Sequence, residues 1–434
     1  MCANFTKQNP AAAHSYRQVL TCVPFLLLWA GVILSYLTDR LVQLGLLELV
    51  RPTVANLGAV NNDLTLFMML PFVFLSPLAG PLIDRRSRRA ILATTATAKA
   101  AVLVLIAALL AVSPDAPRSL LFVYGVVAAQ GVLTVFFSPA RTSLVPQLIE
   151  DGHLMAANSL MNVTGMFMML VGNFVAAALL GWVASGKFSL STFFLAGALA
   201  YLVGVGLFGL MRVSPTALRA ACAREEGYAA RLRGGLHYAA SHRVAWRLIA
   251  LAATFWLIAG AVYTALNGKL LNEMGLGTDR FGYALGVLGV AVFAGGFAIT
   301  FGFRWLPSVG AIVRIAFSVV GLSVLSLLWL DRLALLLVPI VLIGLAGGGL
   351  LVLIITLVQR TVPRRTHGRM FSLVETCQNA AFIAALVGGR IALELVAFRP
   401  ICWTVGALCL VSAVMSSLPV RQRHAQFLAR NDHS

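Results

Sequence analysis

Long apolar stretches separated by short polar turns run along almost the whole chain. A helix of about 20 apolar residues is long enough to cross roughly 30 Å of hydrocarbon, and about twelve such stretches can be counted. The pattern therefore predicts an all-α membrane protein with about 12 transmembrane helices. The predicted spans are 20–47, 62–83, 89–112, 118–138, 155–184, 191–212, 246–272, 280–303, 308–330, 332–358, 368–396 and 399–419.

The one long polar segment, residues 213–245, divides these spans into two groups of six. It predicts an N-terminal six-helix bundle over residues 1–212, a cytoplasmic linker, and a C-terminal six-helix bundle with a cytoplasmic tail over residues 246–434. Residues 218–238 contain few helix breakers and carry mixed charge, which favours a short amphipathic helix at the membrane surface. A simple tether and a lipid-sensing or regulatory element both fit this linker.

Composition supports the membrane class. Hydrophobic residues make up 60% of the 434 residues and charged residues 11%, whereas soluble domains have roughly 25% charged residues. The net charge of +18 raises the question of nucleic acid, but the arginines recur at the ends of apolar spans instead of forming one basic domain. Anionic membrane lipids are the partner that this spacing indicates, and nucleic acid is not.

Alternate loops differ in their content of lysine and arginine, and this difference predicts the orientation. With both termini in the cytoplasm, the inside loops carry most of the positive charge, while the outside loops carry mostly single basic residues. The first apolar run is too long for a signal peptide and is expected to stay as the first membrane helix. The inside set comprises Arg85, Arg86, Arg88, Arg89, Arg141, the segment 212–247, Arg360, Arg364, Arg365, Arg369, Arg421, Arg423 and Arg430.

Motifs of soluble enzymes are missing from the sequence. It contains no G-x-x-x-x-G-K-[ST] phosphate loop and no H-E-x-x-H zinc motif, so we expect no enzyme activity and no cofactor. The six cysteines are scattered without a C-x-x-C pair, which predicts neither a disulfide nor a metal site. The run 347–349 of three glycines lies inside the tenth span, where close helix packing is the ordinary explanation and a hinge the alternative.

The turn between the second and third spans carries the most specific motif. Gly80, Asp84, Arg85, Arg88 and Arg89 follow the spacing G-x-x-x-D-x-x-G-R-[RK], except that a serine stands at position 87. With the twelve spans and the central linker, this turn resembles the signature of the major facilitator superfamily. If the serine position requires a positive φ, the substitution costs some stability, but a small residue still fits a tight turn.

Three further segments narrow the resemblance to one subgroup. The sequences F-S-P-A-R at 137–141, P-Q-L at 146–148 with Leu154 and A-N-S-L at 157–160, and G-R-M-F-S-L at 368–373 are similar to a subgroup that includes enterobactin exporters, macrolide efflux proteins and lysophospholipid transporters. The resemblance implies a monomeric secondary transporter in a bacterial inner membrane, with protons as the coupling ion and the substrate site between the bundles near the midplane.

The resemblance leaves the substrate open. The first expectation is export of a small amphipathic molecule, either a siderophore or a drug-like compound. The fifth span lacks the proline of the glycine and proline pattern usual in proton-coupled drug exporters, which keeps a lysophospholipid transporter or flippase as the alternative. A non-transporting receptor or membrane scaffold is the alternative of another class.

The signature turn also predicts a conformational gate. If the two bundles face each other, the carboxylate of Asp84 lies near the N-terminal end of the eleventh helix, whose dipole attracts negative charge. This contact would close the cytoplasmic side, and the alternative is that the arginines only set the topology. The predicted gate residues are Gly80, Asp84, Arg85, Arg88, Arg89, Gly368 and Arg369.

Ionisable residues inside spans indicate function, because a charge at a helix centre costs about 2.5–3.5 kcal/mol on insertion scales. Asp39 and Arg40 lie in the first span and Lys99 lies near the middle of the third. Asp39 is the first candidate for substrate contact or proton exchange, and Lys99 a candidate for binding an anionic headgroup. Local charge pairing is the alternative for Asp39 and Arg40.

The eleventh span adds a polar face. Glu375, Gln378 and Asn379 are spaced i, i+3 and i+4, so they share one side of a helix. A substrate site and a polar seam between helices explain this face equally well. Arg390 and Glu394 are spaced for a structural ion pair near the outer end.

Overall fold

The computed structural model describes residues 18–84, 87–113, 116–211, 228–302, 309–362, 367–396 and 398–415. Within these ranges twelve helices are long and apolar enough to cross a membrane, which confirms the predicted all-α class. We label them α1 to α12: Val23–Val50, Leu57–Asp84, Arg88–Val112, Leu120–Leu148, Leu154–Ala184, Leu190–Leu210, Arg243–Asn267, Thr278–Gly302, Val309–Ser326, Leu333–Thr361, His367–Leu395 and Phe398–Met415. Helix α7 continues into one π-helical segment, Gly268–Glu273.

Helix starts follow local sequence signals. Ser189 caps α6 by accepting a hydrogen bond from the Thr192 amide at 3.1 Å, which satisfies one free N–H of the first turn. Ser87 caps α3 in the same way through the Ala90 amide at 3.4 Å. The φ of Ser87 is −61°, so this position needs no left-handed backbone. The serine in the signature turn therefore causes no strain.

Two predicted boundaries are wrong. Helix α4 continues past the predicted end at 138 to Leu148, through Pro139 and Pro146. Arg141, which we predicted to lie in a loop, is therefore a helical residue. Prolines are tolerated in membrane helices because neighbouring groups satisfy the backbone groups they free. Helix α2 begins at Leu57 instead of residue 62, so the polar residues 61–63 belong to a helix.

The helices pack in two similar groups, which we call the N-terminal half (α1–α6) and the C-terminal half (α7–α12). In the first, α1 packs on α5 and α6, α3 on α6 and α4, and α2 on α4. In the second, α7 packs on α11, α8 on α10, and α9 on α12 and α10. The main contacts between the halves are those of α5 with α8 and of α2 with α11. The equivalent helices of each half therefore form the interface.

The halves are joined mainly at one end. Successive spans alternate in direction, so α1 begins and α12 ends on the side of segment 213–245; we call this side the linker end and the opposite side the far end. Among the described residues, the hydrogen bonds between the halves lie towards the far end, and they join residues 43–65 to residues 263–278 and 390–393. This conformation is closed at the far end.

A linker helix, Tyr228–Ser241, packs against α11 and α7 and also contacts α2. Ala239 of this helix is fully buried in an apolar cluster with Met370 and Leu373 of α11. The linker helix thus touches both halves at the linker end. Its predicted place at the membrane surface, and the domain boundaries at 213 and 245, stay predictions.

The glycine run in α10 is a packing contact at its middle residue. A Cβ on Gly348 would lie 1.8 Å from the Val292 carbonyl oxygen of α8, whereas one on Gly347 would meet nothing within 4 Å. We expect Gly348→Ala to lower the free energy of unfolding by about 1–3 kcal/mol because the backbones must separate. Gly347→Ala is the matched control and should leave stability equal or higher, since alanine favours helix.

Thermal unfolding of the purified protein in detergent measures both variants. Equal loss of stability in the two variants would contradict the packing role of Gly348.

Candidate functional site

A buried group of three polar side chains lies inside the N-terminal half. The Lys99 ammonium of α3 donates to Asp39 Oδ1 of α1 at 2.7 Å, and the Tyr201 hydroxyl of α6 donates to the same oxygen at 2.5 Å. The Lys99 side chain is 2% exposed and that of Asp39 15%. The ammonium also lies 5.8 Å from the Phe137 ring centroid and 5.7 Å from that of Tyr201, within cation–π range. We call Asp39, Lys99 and Tyr201 the buried triad.

The buried triad encloses Lys99. Its ammonium is paired with Asp39, and its role in binding an anionic headgroup stays a prediction. Asp39 likewise has its charge balanced by Lys99. A proton arriving at the Asp39 carboxylate would remove that balance and leave the ammonium buried and unpaired, which is costly.

A small cavity lies beside Asp39. It has a volume of about 20 Å³ and is lined by Gln43, Met68 and Gln130 among others, which is enough room for one water molecule. The amide of Gln130 is buried, and neither of its polar atoms has a hydrogen-bond partner. A water in this cavity would satisfy these atoms and hydrate the carboxylate. Gln130 could not be selected from the sequence, because a single amide in a span is a weak signal.

Arg40 belongs to a polar junction between α1, α2 and α7. Its guanidinium donates to Gln43 Oε1 at 2.9 Å, and the Gln43 amide reaches Thr65 Oγ1 at 3.2 Å and the Tyr263 hydroxyl at 3.5 Å. The Asn61 amide donates to the same hydroxyl at 2.9 Å. The junction therefore joins the halves next to the charged residues of α1.

Towards the far end, the halves are held by side-chain amides, which we call the amide clasp. The Asn62 amide donates to Thr264 Oγ1 at 2.8 Å, and Asn267 donates to Asn62 Oδ1 at 2.7 Å. Asn272 donates to Asn56 Oδ1 at 2.7 Å. Buried amides are stable only where such partners are present. The clasp consists of Asn56, Asn61, Asn62, Asn267 and Asn272.

One ion pair crosses the interface beside the clasp. Arg390 Nε of α11 lies 2.7 Å from Asp63 Oδ2 of α2, which also accepts a hydrogen bond from the Tyr124 hydroxyl at 2.8 Å. Arg390 pairs with Glu394 as well, as the spacing predicted. The sequence analysis did not select Asp63, although it is the second residue of the predicted span 62–83.

Towards the linker end, each half presents an aromatic side chain. The Arg141 guanidinium of α4 lies 5.6 Å from the ring centroid of Tyr36 in α1. In the C-terminal half, the indole of Trp256 packs edge-on against Phe382 at 5.5 Å between centroids. All four side chains are half-buried. We call Tyr36 and Arg141 the N-terminal wall, and Trp256 and Phe382 the C-terminal wall. Among the described residues, no hydrogen bond or ring contact joins the two walls.

The predicted polar face of α11 lies along this side of the C-terminal half. Glu375 is exposed, and Gln378 and Asn379 are half-buried. Phe382 follows Gln378 by four residues, so the face that contacts Trp256 continues into the polar face. Its role as a substrate or proton site stays a prediction.

Two residues of the predicted gate, Arg88 and Arg89, contact other helices of the N-terminal half. Arg88 is 6% exposed and lies 3.5 Å from the Ser143 carbonyl oxygen of α4, and Arg89 donates to the Gly209 carbonyl of α6. These contacts connect α3 with α4 and α6 at the linker end.

The other gate residues cannot be placed as side chains. Gly80 and Asp84 lie within α2, and Gly368 and Arg369 within α11, but the side chains of Asp84 and Arg369, and all of Arg85, lie outside the described residues. The gate stays a prediction. In the described part of the chain, no group of three histidine, cysteine or acidic side chains is placed to hold a metal ion.

Twelve membrane helices around a polar interface define a membrane transporter of the major facilitator type. The model of the transmembrane secretion effector family matches residues 25–433, and the chain belongs to this family. No curated protein sequence matches the chain.

Solved structures share the fold at low identity. The nucleoside transporter NupG is 13% identical with a TM-score of 0.68, over 91% of this chain and 98% of that one. A bacterial homologue of the iron transporter ferroportin in an inward-facing state is 17% identical with a TM-score of 0.66, over 92% and 98%. A D-xylose–proton symporter is 13% identical with a TM-score of 0.62, over 91% and 97%. These structures support the fold alone.

Proposed function

We propose that this protein is a secondary transporter that works by alternating access and exports a small amphipathic molecule, a siderophore or a drug-like compound, in exchange for protons. The observation that carries the proposal is the uneven closure of the interface. Among the described residues, hydrogen bonds join the halves at the far end, and none joins Tyr36 and Arg141 to Trp256 and Phe382. A substrate that enters from the linker end would meet Arg40 and Gln43 at the point of closure.

The far-end contacts are suited to opening and closing. A typical hydrogen bond contributes about 0.5–1.5 kcal/mol net, because water replaces the lost partner. A few such bonds give two conformations of similar free energy, and a substrate with different affinity for them shifts the population. The amide clasp would therefore separate when the linker end closes.

The buried triad supports a role for protons. Asp39 lines the small cavity and has both Lys99 and Tyr201 as partners. Protonation of Asp39 would weaken its contact with Lys99 and favour a rearrangement of α1 against α3 and α6. In this proposal proton binding and movement of α1 are linked.

The proposal also covers the orientation in the membrane, the oligomeric state and the cellular location. Arg88 and Arg89 at the linker end of α3 favour the cytoplasm for this side, with both termini there, in a bacterial inner membrane and as a monomer. The lysophospholipid alternative loses the support that it drew from Lys99, since that ammonium is already paired. Like its transporter relatives, the protein is proposed not to be an enzyme.

A cross-link across the amide clasp tests the transport cycle. In a background without native cysteines, Asn56→Cys and Asn272→Cys place two thiols where side-chain atoms are 2.7 Å apart. Bridging them with a short bifunctional thiol reagent should hold the far end closed and reduce transport to background, and a reductant should restore it. The assay is flux of a catecholate siderophore, a macrolide and a lysophospholipid in proteoliposomes with a proton gradient.

The control pair lies within one half. Ser191 Oγ donates to the Ala107 carbonyl at 2.9 Å, so a bridge between Ser191→Cys and Ala107→Cys joins α6 to α3 and should leave flux unchanged. If the parent protein moves none of the three compounds, or if the bridge across the clasp leaves flux intact, the receptor or scaffold alternative replaces the transporter.

A further inference from the structure

We propose that Arg40 and Arg141, on either side of Tyr36, bind an anionic group of the substrate, and that Trp256 on the opposite wall contacts its flat apolar part. This inference rests on the proposed transport function and adds the chemical class of the substrate to it.

Helix geometry sets these side chains at a common depth. Tyr36, Arg40 and Gln43 are spaced i, i+4 and i+7, so they share one face of α1. On α7, Trp256 and Tyr263 are also seven residues apart. The two faces meet at Gln43 and Tyr263, 3.5 Å apart. Seven residues towards the linker end correspond to about 10 Å on each helix, which places Tyr36 and Trp256 at the same level of the two walls.

The N-terminal wall carries unbalanced positive charge. Asp39 is paired with Lys99 at 2.7 Å, so these two charges cancel. Arg40 donates to the neutral amide of Gln43, and no carboxylate among the described residues forms a salt bridge with it. Arg141 contacts the Tyr36 ring, and its buried Nε has no hydrogen-bond partner. Among the described residues, two guanidinium groups of this wall therefore have no carboxylate within salt-bridge distance and can bind an anion.

Guanidinium groups match particular ligands. Their planar donors fit carboxylate, phosphate and sulfonate oxygens in pairs, and they stack on aromatic rings. The Arg141 guanidinium already lies over the Tyr36 ring at 5.6 Å from its centroid, a contact that favours one orientation of the guanidinium before the ligand binds. This favours a substrate whose anionic group is attached directly to a flat ring or short apolar body.

The C-terminal wall supplies the complementary surface. Trp256 packs edge-on against Phe382 and Phe255, with centroid distances of 5.5 Å and 5.9 Å, so the indole is held in one orientation. Its N–H is buried without a hydrogen-bond partner and can donate to a substrate oxygen. Glu375 precedes Phe382 by seven residues, about 10 Å nearer the linker end, and does not neutralise the arginines.

The experiment compares two ligands of the same shape and different charge. The full-length protein in phosphatidylcholine nanodiscs is titrated with 2-naphthalenesulfonate and with neutral 2-naphthalenesulfonamide, and binding is measured by calorimetry. We expect the sulfonate to bind at least about tenfold more tightly, as for one charge-assisted contact. Arg40→Gln and Arg141→Gln should each reduce this preference to about twofold or less.

Three controls make the result specific. Arg332→Gln removes an exposed arginine at the far end and should keep the full preference. Trp256→Leu should lower the affinity for both ligands by a similar factor, so that the preference for the sulfonate over the sulfonamide stays the same. Thermal unfolding of each variant shows whether it is folded, and an arginine variant that fails to fold is replaced by the corresponding methionine substitution, which also removes the charge.

Two competition arms identify the source of the anion. Inorganic phosphate tests the charge alone, and lysophosphatidate tests a lipid headgroup. Binding of lysophosphatidate that both arginine variants weaken, without binding of the sulfonate, would assign the arginines to a lipid anion.

Equal binding of sulfonate and sulfonamide, or a preference that survives both arginine variants, would overturn the inference. The proposed function would still stand if the cross-link across the amide clasp blocks flux, so the two failures are distinguishable.

Discussion

Replacing Lys99 with methionine is expected to cost the folded protein about 3–5 kcal/mol, because removal of one partner of a buried ion pair leaves the other charge unpaired. The Asp39 carboxylate would lose the 2.7 Å contact with the ammonium and keep only Tyr201 as a donor. Thermal unfolding in detergent should show this as the largest loss of stability among the single substitutions named here.

The double variant separates charge pairing from packing. Asp39→Asn combined with Lys99→Met removes both charges, and it should recover most of the stability lost by Lys99→Met alone. Lys187→Met, at an exposed position, is the matched control and should change little. If the double variant is as unstable as the single one, Asp39 and Lys99 do not stabilise each other as an ion pair.

The second large effect is expected at the ion pair between the halves. Asp63→Asn removes the charge that faces Arg390 at 2.7 Å, and a hydrogen bond to a charged group contributes about 1.5–3 kcal/mol. The population with the far end open should therefore rise by a factor of about 10 to 100. A cysteine at Asn267, which is fully buried in the amide clasp, reports this opening through its rate of reaction with a membrane-impermeant maleimide applied to either side of vesicles.

Glu394→Gln is the control for this effect. It removes the other carboxylate that pairs with Arg390, but this carboxylate lies on the same helix and does not join the halves. We expect a much smaller change in reactivity. Similar rates in the two variants would mean that Asp63 does not hold the far end closed.

The sequence predicted the spans well because each carries its own signal. About twelve apolar stretches were expected and the described residues form twelve, since length and hydropathy are local properties. The errors fell where tertiary partners override local propensity. Pro139 and Pro146 lie inside α4, beyond the predicted span end at 138, and Asn61, outside the predicted second span, is helical and buried against α7.

Several residues of the candidate site could be predicted from the sequence, but the contacts between them could not. Asp39, Arg40 and Lys99 could be selected because a charge inside a span is costly. That Lys99 contacts Asp39, 60 residues away, could not be predicted, because helix packing decides it. Gln130 and Trp256 carry no charge, and only their buried, unpartnered polar atoms draw attention to them.

The amide clasp determines how the closed far end responds to pH and salt. Asparagine side chains carry no net charge and do not titrate between acid and alkaline conditions, and mobile ions screen charges but not neutral amides. Changes in ionic strength on that side of the membrane would therefore act on the closed state mainly through Asp63 and Arg390. The hydrogen bonds of the five asparagines would keep the far end closed at low and at high ionic strength.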